Sequence, residues 1–114
     1  MNKKIRILLV EDNPEYRKVI DLALKREPDF DTLHAVGTAE RALRALANMP
    51  PDVLLLDLNL PGMSGLEALP QIRAAAPETK VLVLTQSDRE ADVVAAISQG
   101  ASGYLLKSSG VQQI

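Results

Sequence analysis

An α/β fold, a doubly wound five-stranded parallel sheet, is predicted by three features of this sequence. Short runs of Val, Ile and Leu recur along the chain, stretches of helical periodicity separate them, and four of the runs stop on a polar residue. Continuous apolar runs of this length suit strands buried on both faces, as a parallel sheet covered by helices requires. Strand alternating with helix then implies right-handed crossovers.

Taken in order, the first strand is Ile7-Leu8-Leu9-Val10, and it stops on Glu11 and Asp12. The first helix follows at once, with Asn13 as its cap and Pro14 at the first helical position, where a missing N–H does no harm. Its apolar stripe is Tyr16, Val19, Ile20, Ala23 and Leu24, and Lys25-Arg26-Glu27 reads as its solvated last turn. Thr32-Leu33-His34-Ala35-Val36 is the least apolar strand and therefore the best edge. His34 has no carboxylate or second His at ligand spacing and reads as structural.

Ala39, Ala42, Leu43 and Leu46 form a second helical stripe behind Thr38. Val53-Leu54-Leu55-Leu56 is the third strand and stops on Asp57. Pro61-Gly62 marks a turn, since Pro presets one turn angle and Gly relieves the next. Ser64-Gly65-Leu66-Glu67 opens the third helix with a capping box, in which hydroxyl and carboxylate satisfy each other's orphan amides. Val81-Leu82-Val83-Leu84 stops on Thr85, and a second capping box, Ser87-Asp88-Arg89-Glu90, opens the fourth helix.

The fifth strand, Tyr104-Leu105-Leu106, stops on Lys107, and a fifth helix opens at Ser109-Gly110-Val111-Gln112. That helix is truncated by the end of the sequence at Ile114. Either the chain is cut inside it or a neighbour replaces the missing turns. Leu and Val surface left bare there would drive self-association, so a homodimer or a swapped element is expected. A 2-1-3-4-5 strand order follows, with the first and third strands adjacent at the switch point.

With 114 residues the chain is read as one domain, residues 1–114. A net charge of −2 gives no electrostatic case for binding nucleic acid or an anionic membrane directly. The absence of cysteine removes disulfides and thiolate metal sites and suits a reducing cytoplasm. Met1-Asn2-Lys3-Lys4 is basic, but the apolar run behind it is too short for a signal peptide, and no stretch approaches a membrane span. Tyr16, Phe30 and Tyr104 are the only aromatics, which argues against stacking on bases.

In a parallel sheet the residues just past the carboxyl ends of the strands gather at one edge. Glu11, Asp12, Asp57, Thr85 and Lys107 therefore share a crevice. Two carboxylates roughly 5 Å apart repel by about 3 kcal/mol at an effective dielectric near 20, so a cation belongs among them. All-oxygen donors with no His or Cys favour Mg²⁺, with Asp12 and Asp57 as direct ligands and Glu11 holding a metal-bound water. Mg²⁺ held by few protein groups recruits phosphate oxygens. Lys107 and Thr85 would then help neutralise a phosphoryl group. The nucleophile must be one of the carboxylates, since an aspartate can attack phosphorus to give an aspartyl phosphate.

Glu11-Asp12, the run Asp57-Leu58-Asn59-Leu60-Pro61-Gly62-Met63-Ser64-Gly65, Thr85 and Lys107 resemble the receiver domain of bacterial two-component response regulators. The segment Gly100-Ala101-Ser102-Gly103-Tyr104-Leu105-Leu106-Lys107-Ser108 is similar to the NarL/LuxR-like subfamily, whose receivers precede a helix-turn-helix DNA-binding domain. The resemblance implies that Asp57 is the phosphoacceptor for a sensor histidine kinase, with Mg²⁺ bound by Asp12, Asp57 and the backbone carbonyl of Asn59. It also implies a switch in which Thr85 moves toward the phosphoryl group and Tyr104 turns inward. Such a protein catalyses its own phosphorylation and slow dephosphorylation and turns over no external substrate. DNA would be reached only through an output domain outside these residues.

Two residues depart from the family's usual form. Gln86 stands where Ala or Gly is general, and its long amide over the phosphoryl site is expected to slow access of water or of the donor. Ser108 stands where many receivers have a cis proline; a cis bond before a non-proline costs about 2.5–4 kcal/mol, so a strained or a trans path follows here. The rival readings are a phosphohydrolase of the haloacid dehalogenase type, which needs an acid/base Asp where this chain has Asn59, and a flavodoxin-like FMN carrier, whose phosphate Glu11-Asp12 would repel. The third is a receiver-like interaction module working without phosphorylation.

Overall fold

The computed structural model describes residues 4–58, 60–85 and 90–106. Within them run β1 (Ile5–Val10), α1 (Pro14–Lys25), β2 (Phe30–Val36), α2 (Ala39–Asn48), β3 (Val53–Asp57), α3 (Gly65–Ala75), β4 (Lys80–Thr85), α4 (Glu90–Ser98) and β5 (Gly103–Leu106). The five strands form one sheet in the order β2-β1-β3-β4-β5, every neighbouring pair parallel. This is the predicted doubly wound order. The expected helix from Ser109, the capping contacts of Ser87, and Asn59, Gln86, Lys107 and Ser108 lie outside the described residues.

The two-residue period of a strand sends alternate side chains to opposite faces, so each apolar run feeds two cores. Leu8, Val10, Leu54, Leu56, Val81 and Val83 pack with Ala42 and Leu46 of α2, Leu69 and Ile72 of α3, and Ala96 of α4. Ile7, Leu9, Leu55 and Leu84 pack on the other face with Ile20 and Leu24 of α1. β1 and β3 are buried because both neighbours and both faces are covered. β2, at the edge, leaves Asp31, His34 and Ala35 exposed.

The starts of α1, α2 and α3 are as read from sequence. The Asn13 side chain accepts from the Glu15 and Tyr16 amides at 3.0 and 3.1 Å. Thr38 Oγ1 accepts from the Arg41 amide at 3.1 Å. Ser64 and Glu67 form the reciprocal capping box. Three features differ. Val19 is exposed, because it precedes Ile20 and so lies about 100° around the helix from it, at the margin of the buried stripe. β2 begins at Phe30 and its register with β1 slips between Ile7 and Leu8, which skips Leu33. Pro70 sits inside α3, on its exposed side.

Candidate functional site

Glu11 and Asp12 leave the end of β1, and Asp57 ends β3, the strand beside it. Val10 pairs in register with Leu56, so the two strand ends stand level. One oxygen from each of Glu11, Asp12 and Asp57 lies within 4.8 Å of the others. Glu11 and Asp57 are buried, 0 and 1% exposed, whereas Asp12 is exposed and opens the cluster to solvent. Like charges this close repel by about 3 kcal/mol per pair at an effective dielectric near 20. The donor set is all oxygen, so this acidic cluster could bind a metal ion, and hard divalent cations fit its chemistry.

The β1–α1 segment is held from several sides. The Glu11 amide donates to the Val36 carbonyl at the end of β2, at 2.9 Å. Glu11 Oε2 accepts from the Asn13 amide at 3.1 Å, and the Glu11 carbonyl accepts from Arg17 Nη1 at 2.9 Å. Asn13 in turn caps α1. The cap that starts the helix thus also orients a carboxylate of the cluster.

The Asp57 side is fixed by packing. Leu58 and Leu60 are buried in the larger core and anchor the loop at two points. The Leu58 amide donates to the Leu84 carbonyl at 3.2 Å, and the Gly65 amide donates to the Leu58 carbonyl at 3.0 Å. A Cβ at Gly65 would stand 2.5 Å from the Asp57 carbonyl oxygen and 2.7 Å from Leu58 Cα, so α3 approaches this strand end only because residue 65 has no side chain. Gly62, with φ of +71°, makes the turn in between, a left-handed conformation that glycine adopts at no steric cost.

Thr85 ends β4 one residue beyond Leu84, the register partner of Asp57, and its own partner is Leu106 of β5. Of Thr85 the structure describes the backbone, and Lys107 lies outside the described residues. Tyr104 pairs with Val83, further from the edge, and its side chain is 46% exposed. The structure therefore brings Glu11, Asp12 and Asp57 together and sets the Thr85 backbone on the adjoining strand end. Sequence reading missed Arg17, Gly37 and the buried pair Leu58 and Leu60. The leucines had a signal, two apolar residues alternating about a polar one just past a buried strand.

A family model for the response regulator receiver domain matches residues 7–114. The nitrate/nitrite response regulator NarL of Escherichia coli strain K12 is 38% identical over 101 residues, which cover 89% of this chain and 47% of that protein. The chain spans about half the length of the curated relatives it matches. A two-component response regulator of the LuxR family from Aurantimonas superposes with a TM-score of 0.91 at 32% identity, covering 97% of this chain and 79% of that one. A response regulator from Burkholderia pseudomallei, solved with a phosphorylated aspartic acid, a calcium ion and citrate, superposes with a TM-score of 0.86 at 26% identity, covering 95% of this chain and 62% of that one.

Proposed function

Because this chain belongs to the response regulator receiver family, in its NarL/LuxR branch, we propose that Asp57 is a phosphoacceptor that takes its phosphoryl group from a phosphohistidine on a sensor kinase. The observation that carries this reading is the convergence of the buried Asp57 carboxylate with Glu11 and Asp12 inside 4.8 Å at the ends of two adjacent strands. A relative with a phosphorylated aspartic acid and a divalent cation supports it.

In the proposed step an Asp57 carboxylate oxygen attacks phosphorus, a P–O bond forms, the P–N bond to the histidine breaks, and the imidazole leaves with the electron pair. Little covalent chemistry falls to the protein, so positioning and electrostatics carry the transfer. Glu11, Asp12, Asp57 and the Asn59 carbonyl are the groups that would hold Mg²⁺. When bound, Mg²⁺ would supply positive charge that relieves the carboxylate repulsion and offsets the charge of the phosphoryl group. Burial of Asp57 limits the approach of water to the acyl phosphate. The Lys107 ammonium would offset charge on the phosphoryl group, the Thr85 hydroxyl would donate a hydrogen bond to it, and the Gln86 amide would slow access to it.

The output is a population shift between two conformations, biased when the phosphoryl group engages Thr85 and Lys107. Tyr104 is the reporter: from its exposed position the ring turns inward as Thr85 moves toward the phosphoryl group. In the parent protein this surface would control a DNA-binding output domain in the cytoplasm. Among the described residues no helix is long and apolar enough to cross a membrane. Incubation with Mg²⁺ and a small-molecule phosphodonor, followed by intact-mass measurement, tests the proposal. Wild type should gain one phosphoryl group and Asp57→Asn none; an interaction module working without phosphorylation would leave both unchanged.

A further inference from the structure

The hydrogen bond that holds the Glu11 carbonyl comes from outside the acidic set. Arg17, in the second turn of α1, donates Nη1 to that oxygen at 2.9 Å in a part-buried setting. The same nitrogen sits against Gly37, in the loop after β2, where a Cβ would stand only 2.9 Å from it. The other neighbours of such a Cβ are the Glu11 carbonyl at 3.9 Å and Asp12 Cα at 4.0 Å, both ordinary contacts. Gly37 is not among the glycines with positive φ, so what residue 37 must provide is space for the guanidinium.

We propose that Arg17 is a positioning residue for the acidic cluster: seated on Gly37, its guanidinium clamps the peptide that joins Glu11 to Asp12, so that both carboxylates converge on Asp57. The inference rests on the reading of this cluster as the cation and phosphoacceptor site. One hydrogen bond acts on two carboxylates because the held oxygen belongs to the peptide between them. The Glu11 amide is already tied to Val36, so Arg17 closes the second attachment of the same residue to the region where β2 ends.

Two effects of Arg17 oppose each other, and their sign separates a clamp from a bystander charge. A positive charge beside the carboxylates disfavours a cation, so removing it would tighten binding if charge were its only role. Loss of an outer partner that orients metal ligands commonly weakens metal affinity by about 10–100-fold. The clamp predicts the second sign.

The experiment is a calorimetric Mg²⁺ titration of wild type, Arg17→Met, Arg17→Lys, Gly37→Ala and the Arg17→Met/Gly37→Ala double variant, with a urea unfolding curve of each to establish folding. Arg17→Met should weaken Mg²⁺ binding by about tenfold, the low end of that range because the lost charge works the other way. Gly37→Ala, which the flexible guanidinium can partly meet by shifting, should weaken it by less while keeping the charge, and the double variant should be no weaker than Arg17→Met alone. Arg17→Lys should recover part of the loss. With a small phosphodonor, the Mg²⁺ concentration for half-maximal phosphorylation should rise by more than the maximal rate falls. Equal or tighter Mg²⁺ binding by Arg17→Met, or effects of the two substitutions that simply add, would overturn the clamp. Should Arg17→Met not fold by the urea criterion, Gly37→Ala decides. Wild type that neither binds Mg²⁺ nor accepts a phosphoryl group would remove the functional reading itself, whereas competent wild type with unaltered variants removes only the clamp.

Discussion

Gly65 lies directly against the main chain of Asp57: a Cβ there would meet the Asp57 carbonyl oxygen at 2.5 Å. The first residue of α3 is thus packed on the strand end that carries the proposed phosphoacceptor, with no side chain between them. Its amide bonds the next carbonyl along, that of Leu58. Backbone cannot yield as a flexible side chain can. Gly65→Ala should therefore displace α3 or the strand end and cost about 1–3 kcal/mol. A urea denaturation midpoint equal to that of wild type would contradict this contact.

Ser64, one residue earlier, accepts from the Glu67 amide at 3.1 Å, and Glu67 Oε1 accepts from the Ser64 amide at 3.3 Å. Ser64→Ala removes the hydroxyl half of this box and should cost about 1 kcal/mol. Because the change leaves Gly65 and Asp57 in place, phosphorylation by a small donor should continue. Parallel unfolding and mass measurements on the one variant separate helix stability from site chemistry.

Leu55 is 1% exposed in β3 and belongs to the core shared with α1, whereas its neighbours Leu54 and Leu56 face α2 and α3. Truncation to Ala leaves a cavity between the sheet and α1 and should cost about 2–5 kcal/mol. Thermal or urea unfolding of Leu55→Ala checks it; a loss under 1 kcal/mol would show that α1 closes over the gap.

The acidic cluster makes a prediction whose sign depends on the cation. Without divalent ions, Asp57→Asn removes one of three like charges within 4.8 Å and should raise stability by about 1–3 kcal/mol, less at high salt. Saturating Mg²⁺ should stabilise wild type, by about 2.7 kcal/mol at a hundred times its dissociation constant, and Asp57→Asn much less. Unfolding curves of both proteins with Mg²⁺ and with a chelator read the reversal directly.

Much of this architecture is legible in the sequence because local and global signals agree. The runs Ile7–Val10, Val53–Leu56 and Val81–Leu84 are strands, the caps Asn13 and Ser64 act as caps, and the polar character of Thr32–Val36 identifies an edge strand. The convergence of Glu11, Asp12 and Asp57 follows from strand order alone, since parallel strands deliver their last residues to one edge. What escaped depends on contacts between distant segments. Neither Arg17 reaching back to the Glu11 carbonyl nor the need for bare space at Gly37 and Gly65 leaves a periodicity to read. The skipped Leu33 is equally silent, because an edge strand can slip there without moving a buried side chain.

The central claim is that Asp57 is the residue phosphorylated, in a reaction that needs a divalent cation. Intact-mass measurement after incubation with a small phosphodonor, for wild type and Asp57→Asn, each with Mg²⁺ and with a chelator, tests it most directly. The account predicts a gain of one phosphoryl group in wild type with Mg²⁺ and none in the other three samples. A gain in Asp57→Asn, or none in wild type with Mg²⁺, would contradict it.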